Sequence, residues 1–170
     1  GLKLKETISG FIRSQELKYG FTPIQTPIIG SKDLYMTSGH YKHYAHGMYP
    51  EMVNQEDESL FVRPMSCPHH CIVYAHKPRS YRDLPVRLAE NVLQYRYEAS
   101  GALIGLERVR GMELTDSHIF LREDQLEQEI DNAFEIIMST LKRFDIEIDY
   151  IELACGDRAD ADKYHGSAQV

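Results

Sequence analysis

The chain has 170 residues, which suits one compact domain or part of a larger one. Hydrophobic residues make up 42% and charged residues 26%, ordinary proportions for a globular protein, and the formal net charge is −7. Because nucleic-acid-binding faces are usually basic, this acidic balance argues that any such contact is local or lies outside this chain. No run of about 18 apolar residues occurs, and the charged N-terminus lacks a signal-peptide core, so no membrane association is expected. Three cysteines without a disulfide spacing favour a reducing, cytoplasmic compartment.

The first thirty or so residues predict a helix over 2–19 and an extended run over 21–29. Apolar residues recur at helical spacing in the first stretch, at Leu4, Ile8, Phe11 and Ile12. Gly20 is a natural stop just past the helix, and the prolines of the extended run suit a strand end or a sheet edge. Ser31 then caps a short helix.

Three histidines, His40, His43 and His46, lie close together in the segment TSGHYKHYAH. Their spacing does not fix a tetrahedral metal site. A role at the surface or at the rim of a substrate site is therefore favoured over a metal cluster.

A polar turn is predicted at 54–59, followed by a strand at 60–63. Ser66 is positioned to cap the next helix, which has Pro68 in its first turn and runs to about His76.

The string PMSCPHHC at 64–71 opens that helix. Cys67, His70 and Cys71 fall on one helical face, a pattern that could suggest a compact zinc site. For Cys71 we favour the interpretation of a small, buried hydrophobic side chain.

The stretch 85–121 predicts three antiparallel strands, over 92–98, 106–110 and 115–121. One face of the first strand carries three polar residues, Gln94, Arg96 and Glu98. The opposite face is expected to be core and carries Leu93, Tyr95 and Tyr97.

The other two strands add further charge to the same sheet. Arg108 and Arg110 share a face, Gly111 breaks the pattern, and Asp116 and His118 point the same way on the third strand. Arginine suits bidentate binding of phosphate or carboxylate oxygens. The alternative is a solvated sheet face laced with ion pairs.

The C-terminal part predicts an amphipathic helix over 123–144, then a strand over 146–153. The helix carries one apolar stripe, interpreted as core packing and formed by Leu126, Ile130, Ala133, Phe134, Ile137, Met138 and Leu141. Residues 155–170 show no pattern and predict a loop or the start of another element.

Two segments of the charged stretch resemble motif 2 of the class II aminoacyl-tRNA synthetases, an Arg-x-Glu strand, a loop and a second strand with Arg-x-x-x-Phe. Here the segments are Arg96-Tyr97-Glu98 and Arg108-x-x-x-Met112, within about residues 91–112. The fuller string RYEASGALIGLERVRGMELTDSHIF is similar to one family of that class, the threonyl-tRNA synthetases. Met112 stands where the class has an aromatic residue against adenine, and a thioether can also lie on a flat ring.

The resemblance implies an α+β fold with an antiparallel sheet flanked by helices. The helix and strand at about 4–29 resemble motif 1, which implies a homodimer in the full-length enzyme. Motif 3, the editing domain and the anticodon-binding domain of the family are absent. Residues 1–170 are therefore expected to form part of one class II catalytic domain.

The activity implied by the resemblance is ATP-dependent activation of threonine to threonyl-adenylate, followed by transfer to tRNA(Thr). Arg96 is implied to bridge the α-phosphate and the amino-acid carboxylate. Glu98 and Met112 would contact adenine, Arg108 would hold the far phosphates, and Mg²⁺ would accompany the ATP. His40 matches the first histidine of the family's active-site loop and is implied to assist transfer.

The segment PMSCP resembles the one in which the family's cysteine binds zinc, so Cys67 and then His118 are implied zinc ligands. The family's third ligand, a histidine further along, lies outside this chain. Asp116 is implied to hold the threonine hydroxyl, and Met65 to line the substrate site. Because a catalytic zinc usually keeps three protein ligands, the chain alone is expected to hold zinc poorly and to be inactive in threonine-dependent pyrophosphate exchange.

Two other classes of function stay open. One is a synthetase-like binding or regulatory module without ligase activity, which would not need both the phosphate-binding arginines and the hydroxyl-binding site. The other is an interaction domain built on structural zinc, which would need four closed ligands.

Overall fold

The computed structural model describes residues 1–154, and the loop predicted at 155–170 lies outside this range. The α-helices of this part are Leu2–Lys18 (α1), Lys32–Thr37 (α2), His40–Tyr44 (α3), Cys67–Ala75 (α4) and Leu126–Arg143 (α5). Its strands are Thr22–Pro23 (β1), Ile29–Ser31 (β2), Met52–Val53 (β3), Ser59–Val62 (β4), Val86–Tyr95 (β5) and Gly111–Phe120 (β6). None of these helices combines the length and the apolar character that crossing a bilayer requires. The predicted α+β class, with helices flanking small sheets, is confirmed.

The main sheet has the strand order β1–β5–β6. β5 and β6 are antiparallel and pair along their whole length, from Val86 opposite Phe120 to Tyr95 opposite Gly111. Because side chains alternate along a strand, this register divides the hairpin into two faces. The front face carries Glu90, Gln94, Asp116 and His118, and the back face carries Arg87, Glu113 and Thr115.

Helices α1 and α5 are held to the back face by ion pairs. Lys5 Nζ lies 2.7 Å from Glu113 Oε2, and Arg87 makes a two-pronged hydrogen bond with Glu129, which is 3% exposed. The two helices also touch each other through the edge-to-face rings of Phe11 and Phe144, 5.6 Å apart. The front face is thereby left for α4 and the candidate site.

The strands predicted within 85–121 are partly wrong. No strand forms at 106–110, because the chain makes a tight turn at Gly105 (φ 46°) that leaves only an isolated bridge between Ile104 and Arg108. Gly111 does not break the pattern but opens β6, where a Cβ would come within 3.2 Å of the Tyr95 ring. The sheet is also mixed and not wholly antiparallel, since β1 runs parallel to β5.

The face predicted to be core was also wrong. Leu93 is 38% exposed and Tyr97 53%, whereas Gln94 on the opposite face is 2% exposed. The physical reason is that α4 covers the front face, so the polar side chains there are buried and hydrogen-bonded to one another. β5 also starts and ends earlier than the predicted 92–98, and the chain turns tightly after Tyr95.

A smaller antiparallel sheet, ordered β2–β4–β3, holds the apolar core of the first half. Tyr35, Met48 and Phe61 are each at most 5% exposed and pack together. The polar turn predicted between β3 and β4 is confirmed, as is the Ser31 cap, whose Oγ accepts from Leu34 N at 3.4 Å. The sequence did not predict the short helix α3.

A buried ion pair joins the two sheets. Glu90 on β5 is 1% exposed, and its Oε1 lies 3.4 Å from Nη1 of Arg63, which follows β4. The same Nη1 also donates to Thr26 Oγ1 at 2.7 Å, and Arg63 Nε donates to Leu93 O at 2.7 Å. Burying a charge is tolerated only where it is paired in this way.

Two predictions for the C-terminal part are wrong. The stripe predicted as core on α5 is substantially exposed at Ile130 (54%), Phe134 (42%), Ile137 (53%) and Met138 (40%). Residues 146–153 form no strand, because within 1–154 no neighbouring strand is present to share hydrogen bonds with them. Alternation predicts which side chains would share a face, but a strand requires a partner.

Replacing Arg63 with methionine (Arg63→Met) should lower the free energy of unfolding by about 3–5 kcal/mol, because it leaves the buried Glu90 carboxylate without its arginine partner. Urea unfolding followed by circular dichroism measures this loss. The control Arg82→Met removes an exposed arginine and should change stability by no more than about 0.5 kcal/mol. Equal losses in the two variants would show that the other donors to Glu90 suffice.

Candidate active site and metal centre

The candidate site begins at the N-terminus of α4, on the front face of the main sheet. Ser66 precedes the helix, but its side chain does not cap it, contrary to the prediction. Its hydroxyl instead donates to Asp116 Oδ2 on β6. This bond ties the start of α4 to the sheet and brings Cys67, the first residue of the helix, over β6.

Cys67, Asp116 and His118 come together at this point. One donor atom from each, a sulfur, a carboxylate oxygen and a ring nitrogen, lies within 4.8 Å of the other two. All three residues are half-buried. Sulfur, nitrogen and oxygen donors converging at this range suit tetrahedral zinc, for which Zn–S is about 2.3 Å and Zn–N about 2.0–2.1 Å.

Burial shifts the protonation of the two soft donors. Burial, and then the negative charge of Asp116, raise the pKa of the Cys67 thiol. Burial lowers the pKa of His118, against the opposing effect of the Asp116 carboxylate. The cluster thus combines a neutral imidazole and a carboxylate with a thiol that would release its proton to solvent on binding a cation.

Asp116 accepts two hydrogen bonds on the same carboxylate oxygen. Ser66 Oγ and Gln94 Nε2 both bond to Oδ2, the latter at 3.2 Å. These bonds fix the carboxylate plane and leave Oδ1 for a metal or a substrate hydroxyl. The parity of Gln94 with Arg96 predicts this face from the sequence, but the contact of Gln94 with Asp116 depends on the pairing of β5 and β6 and was not predicted.

The candidate ATP-binding residues lie where β5 ends. The backbone N–H of Arg96 bonds to the carbonyl of Arg110, just before β6, at 2.9 Å, and the buried Nε of Arg96 has no hydrogen-bond partner within residues 1–154. The carboxylate of Glu98 lies 3.4 Å from Arg108 Nε. Met112 is half-buried opposite Gln94.

The remaining candidates have local contacts. His40 opens α3, and its Nδ1 lies 2.9 Å from Ser38 Oγ. Among the residues that the structure describes, no hydrogen bond joins His40 to the cluster that contains Cys67. Met65 is half-buried just before Cys67, while His43 and His46 are exposed. Cys71 is exposed too, so its interpretation as a buried hydrophobic side chain was wrong.

Comparisons with known proteins give the chain its family. A model of the tRNA synthetase class II core domain (G, H, P, S and T) matches residues 50–167. The threonine--tRNA ligase of Mycoplasmoides gallisepticum is 45% identical over 170 residues, which are 100% of this chain and 30% of that protein. The chain thus spans less than a third of the length of this relative.

Solved structures agree with this match. The RNA binding domain of threonyl-tRNA synthetase from Cryptosporidium parvum superposes with a TM-score of 0.79 at 38% identity, covering 84% of this chain and 35% of that one. Prolyl-tRNA synthetase from Giardia lamblia superposes with a TM-score of 0.76 at 19% identity over 84% of this chain and 30% of its own, which shows the shared fold alone. The resemblance found in the sequence is confirmed, and the chain belongs to the family of class II tRNA synthetase core domains (G, H, P, S and T).

Proposed function

We propose that this chain forms part of a threonine–tRNA ligase and carries residues that select threonine and bind ATP. The observation that carries the proposal is the convergence of Cys67, Asp116 and His118 on the front face that leads on to Arg96. The reaction is attack by the threonine carboxylate on the α-phosphate of ATP, giving threonyl-adenylate and pyrophosphate, followed by transfer to tRNA(Thr). The similar proteins named for this activity support the assignment.

Zinc is the metal that the donor set fits best, held by Cys67 and His118 with Asp116 beside them. When bound, such an ion supplies a Lewis-acidic position for the amino and hydroxyl groups of threonine. Two ligands alone, Cys67 and His118, predict poor zinc retention. The Asp116 carboxylate is a third donor within reach, so we now expect measurable binding.

Selectivity in this proposal follows from the polar groups of the pocket. Valine is nearly isosteric with threonine, and an apolar pocket separates such a pair by only about a hundredfold. Asp116, held in place by Ser66 and Gln94, can accept a hydrogen bond from the threonine hydroxyl. Valine would leave that half-buried acceptor without a hydrogen bond from the substrate, which is costly, whereas serine would satisfy it. The site should therefore reject valine well and serine poorly.

Activation brings two anions together, so fixed cations must position them and offset developing charge. Arg96, which follows β5 and whose Nε has no hydrogen-bond partner within residues 1–154, is proposed to bind the α-phosphate and the amino-acid carboxylate through its guanidinium group. Arg108 suits the far phosphates, and Glu98 and Met112 suit adenine, with Mg²⁺ accompanying ATP. His40 is proposed to assist transfer to the tRNA end.

Homodimerisation through the motif 1 segment, about residues 4–29, is also part of the proposal. Large apolar side chains in and beside that segment are exposed, among them Leu2 (66%), Leu4 (64%), Leu17 (55%) and Ile29 (50%). Covering such surface with a second copy would remove it from water.

Cys67→Ala should weaken zinc binding to the chain by at least about tenfold, because the thiolate is its softest ligand. Cys71→Ala is the matched control, since Cys71 is exposed on the same helix and should leave the affinity unchanged. Competition with a chelating dye measures both. Equal weakening in the two variants would contradict the assignment of Cys67.

A chimera tests the catalytic assignment, with this chain replacing the matching part of the Mycoplasmoides gallisepticum ligase. It should catalyse threonine-dependent ATP–pyrophosphate exchange, with detectable serine and negligible valine activation. Asp116→Asn should lower kcat/KM for threonine about 10–100-fold, since a hydrogen bond to a charged group contributes roughly 1.5–3 kcal/mol.

The exposed carboxylate of Asp124 provides the control for that variant, and Asp124→Asn should leave exchange unchanged. A folded but inactive chimera would favour the alternative of a binding module without ligase activity. Equal activation of threonine and valine would contradict the role of Asp116.

A further inference from the structure

His70 is a buried imidazole with both ring nitrogens engaged. It is 0% exposed, and its Nε2 lies 3.1 Å from Glu90 Oε2. Its Nδ1 lies 2.9 Å from Nδ1 of His118. His118 is one of the three residues of the candidate metal centre. A hydrogen-bond chain thus runs from Glu90 through His70 to His118, and the function proposed above assigns no role to its first two members.

The direction of the hydrogen bonds in this chain follows from the Glu90 carboxylate at one end of it. Burial alone would raise the pKa of Glu90, but hydrogen bonds from Thr26 and His70 and the charge of Arg63 lower it. Thr26 donates to both oxygens, through its N–H and its hydroxyl, each at 2.8 Å. An ionised carboxylate can only accept, so His70 Nε2 must donate to it.

The tautomer of His70 in turn determines which ring nitrogen of His118 carries the proton. With its one proton on Nε2, directed at Glu90, the imidazole of His70 has a lone pair on Nδ1 and accepts there. Nδ1 of His118 must then be the donor, which leaves Nε2 of His118 without a proton. A metal binds the imidazole nitrogen that bears a lone pair, and the bond made by the other nitrogen decides which one that is.

We propose that His70 is a positioning residue: backed by Glu90, it holds the proton of His118 on Nδ1 and keeps Nε2 available to a divalent metal ion. This proposal rests on the metal site proposed above. His70 lies one helical turn after Cys67, so the same turn of α4 supplies a ligand and orients a second one. The rings of His70 and His118 meet edge to face, with centroids 4.6 Å apart and planes at 75°.

His70→Phe keeps a ring in the space but removes both hydrogen bonds. In the 170-residue chain it should weaken zinc binding about 10–100-fold, the usual effect of losing such a partner, measured by competition with a chelating dye. His70→Gln should restore much of the affinity, because an amide can donate to Glu90 and accept from His118.

The matched control is His69→Phe. His69 is the neighbouring buried imidazole, 6% exposed, and bonds Tyr35 Oη at 3.0 Å rather than a metal ligand. Thermal unfolding of the metal-free chains should show destabilisation in both phenylalanine variants, whereas zinc affinity should fall only in His70→Phe. An equal fall in affinity for both would reduce His70 to a structural role and overturn the proposal.

Two-bond ¹H–¹⁵N correlation spectra of the metal-free chain test the tautomer directly. His118 should carry its proton on Nδ1 in the wild type and lose that preference in His70→Phe. Protonation of His118 on Nε2 in the wild type would overturn the proposal even if zinc binds. Absence of zinc binding with the expected tautomer would instead refute the metal site, and with it the purpose of this arrangement.

Discussion

The structure depends on one buried carboxylate. Glu90 is 1% exposed, and four groups from three separate parts of the chain bond to it: the N–H and hydroxyl of Thr26, the guanidinium of Arg63 and the imidazole of His70. A charge in this position is costly unless all its acceptor capacity is used. Satisfying it therefore fixes β5 relative to the smaller sheet and to α4. The site is then built on elements whose relative position is already determined.

The division of labour between the two faces of the hairpin follows from that arrangement. On the back face, the pair between Lys5 and Glu113, the pair between Arg87 and the buried Glu129, and the rings of Phe11 and Phe144 hold the two long helices. On the front face, polar side chains bond to one another beneath α4, and Asp116 and His118 emerge from them with fixed orientations. A prolyl-tRNA synthetase shares the fold at 19% identity, so the fold alone does not assign a substrate, and the proposed selection of threonine rests on side chains such as these.

Much of the candidate site could be predicted from the sequence because its candidate ligands lie in recognisable strings. The spacing Asp-x-His on β6 places Asp116 and His118 on one face whatever the register. The partners of Gln94 and His70 could not be predicted. They depend on the pairing of β5 with β6 and on the position of α4 over the sheet, and no local sequence pattern encodes either. Hydrophobicity misassigned the faces of β5 for the same reason: Leu93 is the exposed side chain and Gln94 the buried one. On α5 the periodicity identified the apolar face correctly but could not say what covers it.

The central claim is that Cys67 and His118 bind one metal ion with an oxygen donor beside them. Zinc-edge X-ray absorption on the zinc-loaded chain tests it most directly, because the spectrum reports the ligands of the ion itself. We expect one sulfur at about 2.3 Å and the remaining nitrogen and oxygen ligands at about 2.0–2.2 Å in a four-coordinate site. A first shell of nitrogen and oxygen atoms alone, without sulfur, would contradict it.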